Sequence, residues 1–128
     1  MKLYFIILSV LYLSRIIVSV WVMLNPPHYL IFLNHAADMV LFTLCLAGCL
    51  DLAFKKRLVN FSTDKWRLTY QATLVLGACT VLLMCYGDKV GVPSPVGNPG
   101  FLTIGLIYLP YVLFAIPVIV HEHELKKE

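Results

Sequence analysis

Apolar residues run almost unbroken through four stretches of the chain, Leu3–Leu24, Tyr29–Phe54, Trp66–Tyr86 and Phe101–Val120. At about 1.5 Å per residue, about 20 residues cross a hydrocarbon layer of about 30 Å, so each stretch predicts a spanning helix. The interruptions are sharp. Asn25–His28 reads "NPPH", and proline both lacks an amide proton and disfavours helix in the residue before it. Lys55–Lys65 reads "KKRLVNFSTDK" and is basic and polar, while Gly87–Gly100 mixes prolines with glycines and predicts a loop. There is no internal repeat. The expected architecture is all-α: an integral membrane four-helix bundle formed by a single transmembrane domain over residues 1–128.

Composition strengthens that expectation. Of the 128 residues, 60% are hydrophobic and 13% charged, against roughly half and a quarter in soluble domains. A soluble fold of this length could not bury so much apolar surface. The N-terminal stretch is expected to be a retained helix rather than a cleaved leader, because Arg15 interrupts its apolar run and no small-residue cleavage site follows.

Charge sets the expected orientation. Lys55, Lys56, Arg57, Lys65 and Arg67 cluster around the second connection, and with four crossings Lys2, Lys126 and Lys127 fall on the same side. Only Lys89 lies opposite, so both termini are expected in the cytoplasm, with the chain a multi-pass protein of the cell inner membrane. Trp21, Tyr29, Tyr86 and Phe101 mark one boundary, and Tyr4, Phe54, Trp66 and Tyr70 the other. Basic residues at segment ends rather than along one face argue against nucleic acid as a partner.

The candidate chemistry lies in "FLNHAADMVLF", Phe32–Phe42. Asn34 and Asp38 are four residues apart and share a helical face, with His35 beside them. The same stripe continues through Leu41, Phe42, Cys45, Gly48 and Cys49 and should face protein, whereas Met39, Val40, Thr43, Leu46 and Leu50 should face lipid. Arg15 follows Leu3 by 12 residues, about 18 Å along its helix, and Asp38 follows Tyr29 by nine, about 14 Å from the opposite side. Across a core of about 30 Å the two reach nearly one depth. A tight turn joins their helices, so an Arg15–Asp38 ion pair is expected, with Asn34 and His35 as added hydrogen-bond partners. Tyr12, Tyr108 and Tyr111 are expected as neighbours, and Ser19 shares the arginine's face. Such a cluster either fixes which helix faces which, forms a proton relay or polar ligand site, or meets a charged residue of a partner.

Other features predict less. Cys45, Cys49, Cys79 and Cys85 all fall in the apolar stretches and are expected to be small packing residues. The terminal "HEHELKKE" places His121 and His123 on different faces, so a solvated helix end is expected, with Glu122 and Lys126 paired at four-residue spacing. No two histidines share one depth on different helices, so haem is not expected, and the two-residue spacing of His121 and His123 argues against a metal. Pro110 and Pro117, with Gly105, predict an irregular fourth helix facing a cavity or partner. No phosphate loop, zinc-spaced cysteine set or nucleophile elbow is present, and no catalytic residue is assigned.

Size and four-helix layout resemble those of small multidrug transporters. That family carries a glutamate in its first helix, where this chain has Arg15, so its substrate mechanism does not carry over. The layout is also similar in kind to that of immunity proteins against pore-forming bacteriocins, without a shared motif. The expectation is a non-enzyme: a small inner-membrane accessory or immunity-type protein that works through helix contacts with a larger membrane protein. The alternatives are an oligomeric transporter or channel-like subunit with a polar path near Asp38, and a membrane redox-enzyme subunit. The absence of any cysteine in the loops counts against the last.

Overall fold

A computed structural model describes residues 2–25, 28–55, 61–91 and 100–127. Within them the chain is all-helical: α1 Lys2–Leu24, α2 Tyr29–Phe54, α3 Thr63–Tyr86 and α4 Phe101–Lys126, with a 3-10 turn at Gly87–Val90. All four α-helices are long and apolar enough to cross a membrane. Pro26 and Pro27, Lys56 and Arg57 of the basic connection, and the glycine- and proline-rich stretch 92–99 lie outside the described residues.

Two helices are longer than their apolar cores. Helix α3 begins at Thr63 rather than Trp66, because Ser62 caps it by accepting from the Lys65 amide at 3.4 Å. Helix α4 runs past Val120 to Lys126, and Glu122 and Lys126, one turn apart, pair at 2.9 Å. At the start of α2, the His28 ring accepts from the Leu30 amide at 3.1 Å. Lys55 ends α2 in the left-handed region, φ 54°, and its amide returns to the Asp51 carbonyl.

The helices alternate in direction, as the cross-helix pairs require. Ser19 meets His35, Arg15 meets Asp38 and Tyr12 meets Thr43, advancing on α2 as they retreat on α1. Between α3 and α4, Thr80 meets Tyr111 while Arg67 meets Glu122, again in opposite senses. Helices α2 and α4 run parallel, with Asp38 against Tyr111 and Asp51 against His121. Lys2 lies over the Phe54 ring at this last end, so the first residues of α1 and the last of α4 share one end of the bundle.

Helix α2 touches each of the other three, α3 packs most extensively on α4, and α1 leans mainly on α2. The core is Leu8, Phe42, Cys45, Cys49, Trp66, Tyr111, Phe114 and Val118. Phe42 stacks on Phe114 with ring centroids 4.2 Å apart. Glycine matters at two crossings. A Cβ on Gly77 would stand 2.7 Å from Tyr108 and 2.8 Å from Tyr111, so α3 approaches α4 there only because no side chain intervenes, and Gly48 accommodates Trp66 and Val118 in the same way. Gly105, by contrast, faces open space rather than a cavity between helices. Cys79 corrects the expectation of four packed cysteines: it lies exposed on the outer face of α3, while the other three are buried.

Candidate functional site: a polar cluster at the meeting of four helices

Asp38 is 1% exposed, in the interior of an apolar bundle. A carboxylate there needs partners for both oxygens. The bundle supplies them from different helices. Arg15 of α1 donates from Nη2 to Oδ2 at 3.3 Å, and Tyr111 of α4 donates its hydroxyl to Oδ1 at 2.8 Å. The Arg15 Nη2 also reaches the Tyr111 hydroxyl at 3.3 Å. The guanidinium carbon lies 5.5 Å from the Phe42 ring centroid and 5.7 Å from that of Tyr111, within cation–π range.

Helix α3 contributes a residue that pattern reasoning missed. Thr80 is buried and stands 2.6 Å from the Tyr111 hydroxyl, with Asn34 of α2 on its other side. Donor counting orders the chain. Tyr111 has one proton, and the carboxylate takes it. Thr80 then donates to Tyr111, and the Asn34 amide nitrogen donates to Thr80 at 3.1 Å. The sequence Asn34, Thr80, Tyr111, Asp38 is thus a run of hydrogen bonds ending on the negative charge, and successive dipoles reinforce one another. Thr80 carries a signal in retrospect: Thr69, Thr73, Gly77 and Thr80 form a buried stripe of small residues at helical spacing on α3.

The remaining expected neighbours do not enter this cluster. His35, expected as a hydrogen-bond partner of the ion pair, instead meets Ser19 through Nδ1 at 3.1 Å, because it lies about one turn before Asp38 on α2 and so faces the residue one turn after Arg15 on the antiparallel α1. Tyr12 bonds the Thr43 hydroxyl at 2.8 Å, one turn farther along α2. Tyr108 donates to the Leu74 carbonyl at 3.0 Å, where Gly77 opens the α3–α4 contact. Arg15, Asn34, Asp38 and Tyr111 are therefore brought together, and His35, Tyr12 and Tyr108 stand outside.

A second polar cluster closes the end of the bundle where α1 begins and α4 finishes. Asp51 of α2 is buried, with Oδ2 3.8 Å from His121 Nε2. The His121 ring packs edge-on against Trp66, at 5.2 Å between centroids. Beside it, one oxygen of Glu122 accepts from Arg67 at 3.0 Å and from Lys126 at 2.9 Å. This overturns the expected solvated end for "HEHE": His121 and Glu122 are 7% and 5% exposed, and only His123 and Glu124 face outward. The apolar run ends at Val120, but α3 extends alongside and supplies Arg67 and Trp66 as partners. Asp51 carried a readable signal, since it follows Gly48 by three residues on the buried stripe of α2.

Among the described residues no three His, Cys, Asp or Glu side chains converge to hold a metal ion. Chemically, the upper cluster can hold helices in register, and its hydrogen-bonded run could pass a proton. No protein-family model, no curated protein and no solved structure matches this chain.

Proposed function

We propose that the chain crosses a bacterial inner membrane four times, with both termini cytoplasmic, and serves as an accessory or immunity-type partner of a larger membrane protein through helix–helix contacts. The observation that carries this reading is the closure of Asp38. Both of its oxygens are taken by the chain's own residues, Arg15 and Tyr111, so this buried carboxylate is committed to architecture. A bundle locked from inside does its recognition on its outside. Helix α1 fits that task, because it buries only Leu8 and Ser19 and turns Leu3, Ile7, Val10, Ile17 and Trp21 outward. The basic bias around Lys55–Arg67 supports the orientation. A protein of helices rather than a closed strand barrel suits the inner membrane. Purification in mild detergent from the native host should bring down a larger membrane protein at defined stoichiometry. Recovery of the chain alone would defeat the accessory reading.

A transporter or channel-like subunit is the second reading, and one feature favours it. Buried polar side chains continue below Asp38, through Cys45 and Thr73 at 3.4 Å and Thr69, to Asp51 and His121. Vesicles containing the purified chain would then conduct protons or cations, and Asp38→Asn would abolish the flux.

A further inference from the structure

Helix α3 packs on α2 and α4 with one face and leaves the other bare. On the bare face Leu68, Val75 and Leu82 recur every seven residues, and they are 67%, 64% and 59% exposed. Gln71 and Ala78 fall between them at alternating spacings of three and four, and both are exposed. That spacing is the seam of a left-handed helix pair, with Leu68, Val75 and Leu82 in one set of positions and Gln71 and Ala78 in the other. Gln71 lies five residues past Trp66, about 7.5 Å into the apolar stretch and just inside the aromatic boundary. Among the described residues its carboxamide makes no hydrogen bond. An amide left bare in hydrocarbon is unfavourable, and amides on transmembrane helices bond across to a neighbouring helix.

We infer that α3 pairs side by side with α3 of a second copy of this chain, about a two-fold axis running along the bundle. The reason for a second copy rather than another partner is self-complementarity. A carboxamide holds both donors and an acceptor. About such an axis each Gln71 meets its own counterpart, and two reciprocal N–H···O bonds satisfy both. The same axis sets Leu68, Val75 and Leu82 against themselves in register, and Ala78 lets the backbones come close. The inference rests on the membrane reading above and extends it, because a dimer through α3 leaves the outward face of α1 free for a larger partner.

Cys79 lies beside Ala78 on this face and is the exposed cysteine of the four, so it serves as the probe. Carbonate-washed membranes carrying the full-length chain are treated with a short bis-maleimide. The expected product runs at twice the chain's mass. It disappears in Cys79→Ser and returns when Ala78→Cys is added to that background. Gln71→Leu should lower the cross-linked fraction about tenfold at equal expression, while Gln71→Asn keeps most of it, as interhelical amide bonding requires. Absence of the product from both cysteine positions, indifference to Gln71→Leu, or cross-linking of Cys79 to a different protein would each overturn the dimer. Loss of the chain from the washed membranes would instead defeat the membrane reading itself, so the two failures are distinguishable.

Discussion

The Tyr111 hydroxyl donates to Oδ1 of Asp38 at 2.8 Å, while the Arg15 guanidinium donates to Oδ2 at 3.3 Å. One carboxylate on α2 is thereby tied to α1 and α4 at once, and Thr80 extends the tie to α3 through Tyr111. Tyr111→Phe keeps the ring and its stacking region but removes the proton that Oδ1 accepts. The variant should lose about 1–3 kcal/mol of stability, the cost of an unsatisfied buried acceptor. Reversible unfolding in mixed detergent micelles measures it. A variant as stable as the parent would mean that Arg15 alone satisfies the carboxylate.

Gly77 and Gly105 make a matched pair of tests. At Gly77 an added methyl would meet Tyr108 and Tyr111 at 2.7 and 2.8 Å, so Gly77→Ala must push α4 away and strain the hydrogen bond of Tyr111 to Thr80. A loss of about 1–3 kcal/mol is expected, as for other overpacked contacts. Gly105 has open space around its Cβ position. Gly105→Ala should be neutral or gain up to about 1 kcal/mol from helix propensity. Thermal melts of the two variants side by side check the sign of each.

At the end of the bundle, Glu122 gathers Arg67 and Lys126 on one oxygen. Glu122→Gln should leave two cations facing each other and lower the melting temperature. Added salt should narrow the gap to the parent, because salt screens the repulsion in the variant and the attraction in the parent alike. Melts at low and high ionic strength give the comparison. Lys126→Ala, which keeps the Arg67 contact, should cost less than Glu122→Gln.

Orientation is open to reporters. Fusions after Glu128 and within Lys55–Lys65 should read cytoplasmic, and one within Val90–Pro99 should read external. An external reading after Glu128 would reverse the proposed threading.

The helices were legible because runs of apolar residues at this length have few alternative readings. The meeting of Arg15 and Asp38 was legible too, since a tight turn fixes α1 and α2 antiparallel and depth then follows from residue count. What could not be read was which neighbour a side chain at the edge of a stripe selects. His35 adjoins Asn34 on α2, yet Asn34 turns to Thr80 on α3 while His35 turns to Ser19 on α1. The burial of His121 and Glu122 was invisible for a related reason. A charged tail looks solvated until α3, starting three residues before Trp66, brings Arg67 and Trp66 alongside it. Cys79 shows the limit from the other direction, because an apolar helix around it says nothing about which face is bare.

The central claim is that the cluster at Asp38 is a structural lock, and a double-mutant cycle on Arg15 and Asp38 tests it most directly. Arg15→Leu leaves a buried carboxylate with Tyr111 alone, and Asp38→Leu leaves a guanidinium without its counter-charge. Each should lower stability in detergent by about 2–4 kcal/mol, with Arg15→Leu the worse because Asp38 is the more deeply buried partner. The double replacement should recover most of the loss, since two apolar side chains in contact carry no desolvation cost. The predicted result is a coupling well above about 0.5 kcal/mol, the usual scatter for independent sites. Additive losses within that scatter would contradict the account and show that the two residues hold the bundle together independently, not as a pair.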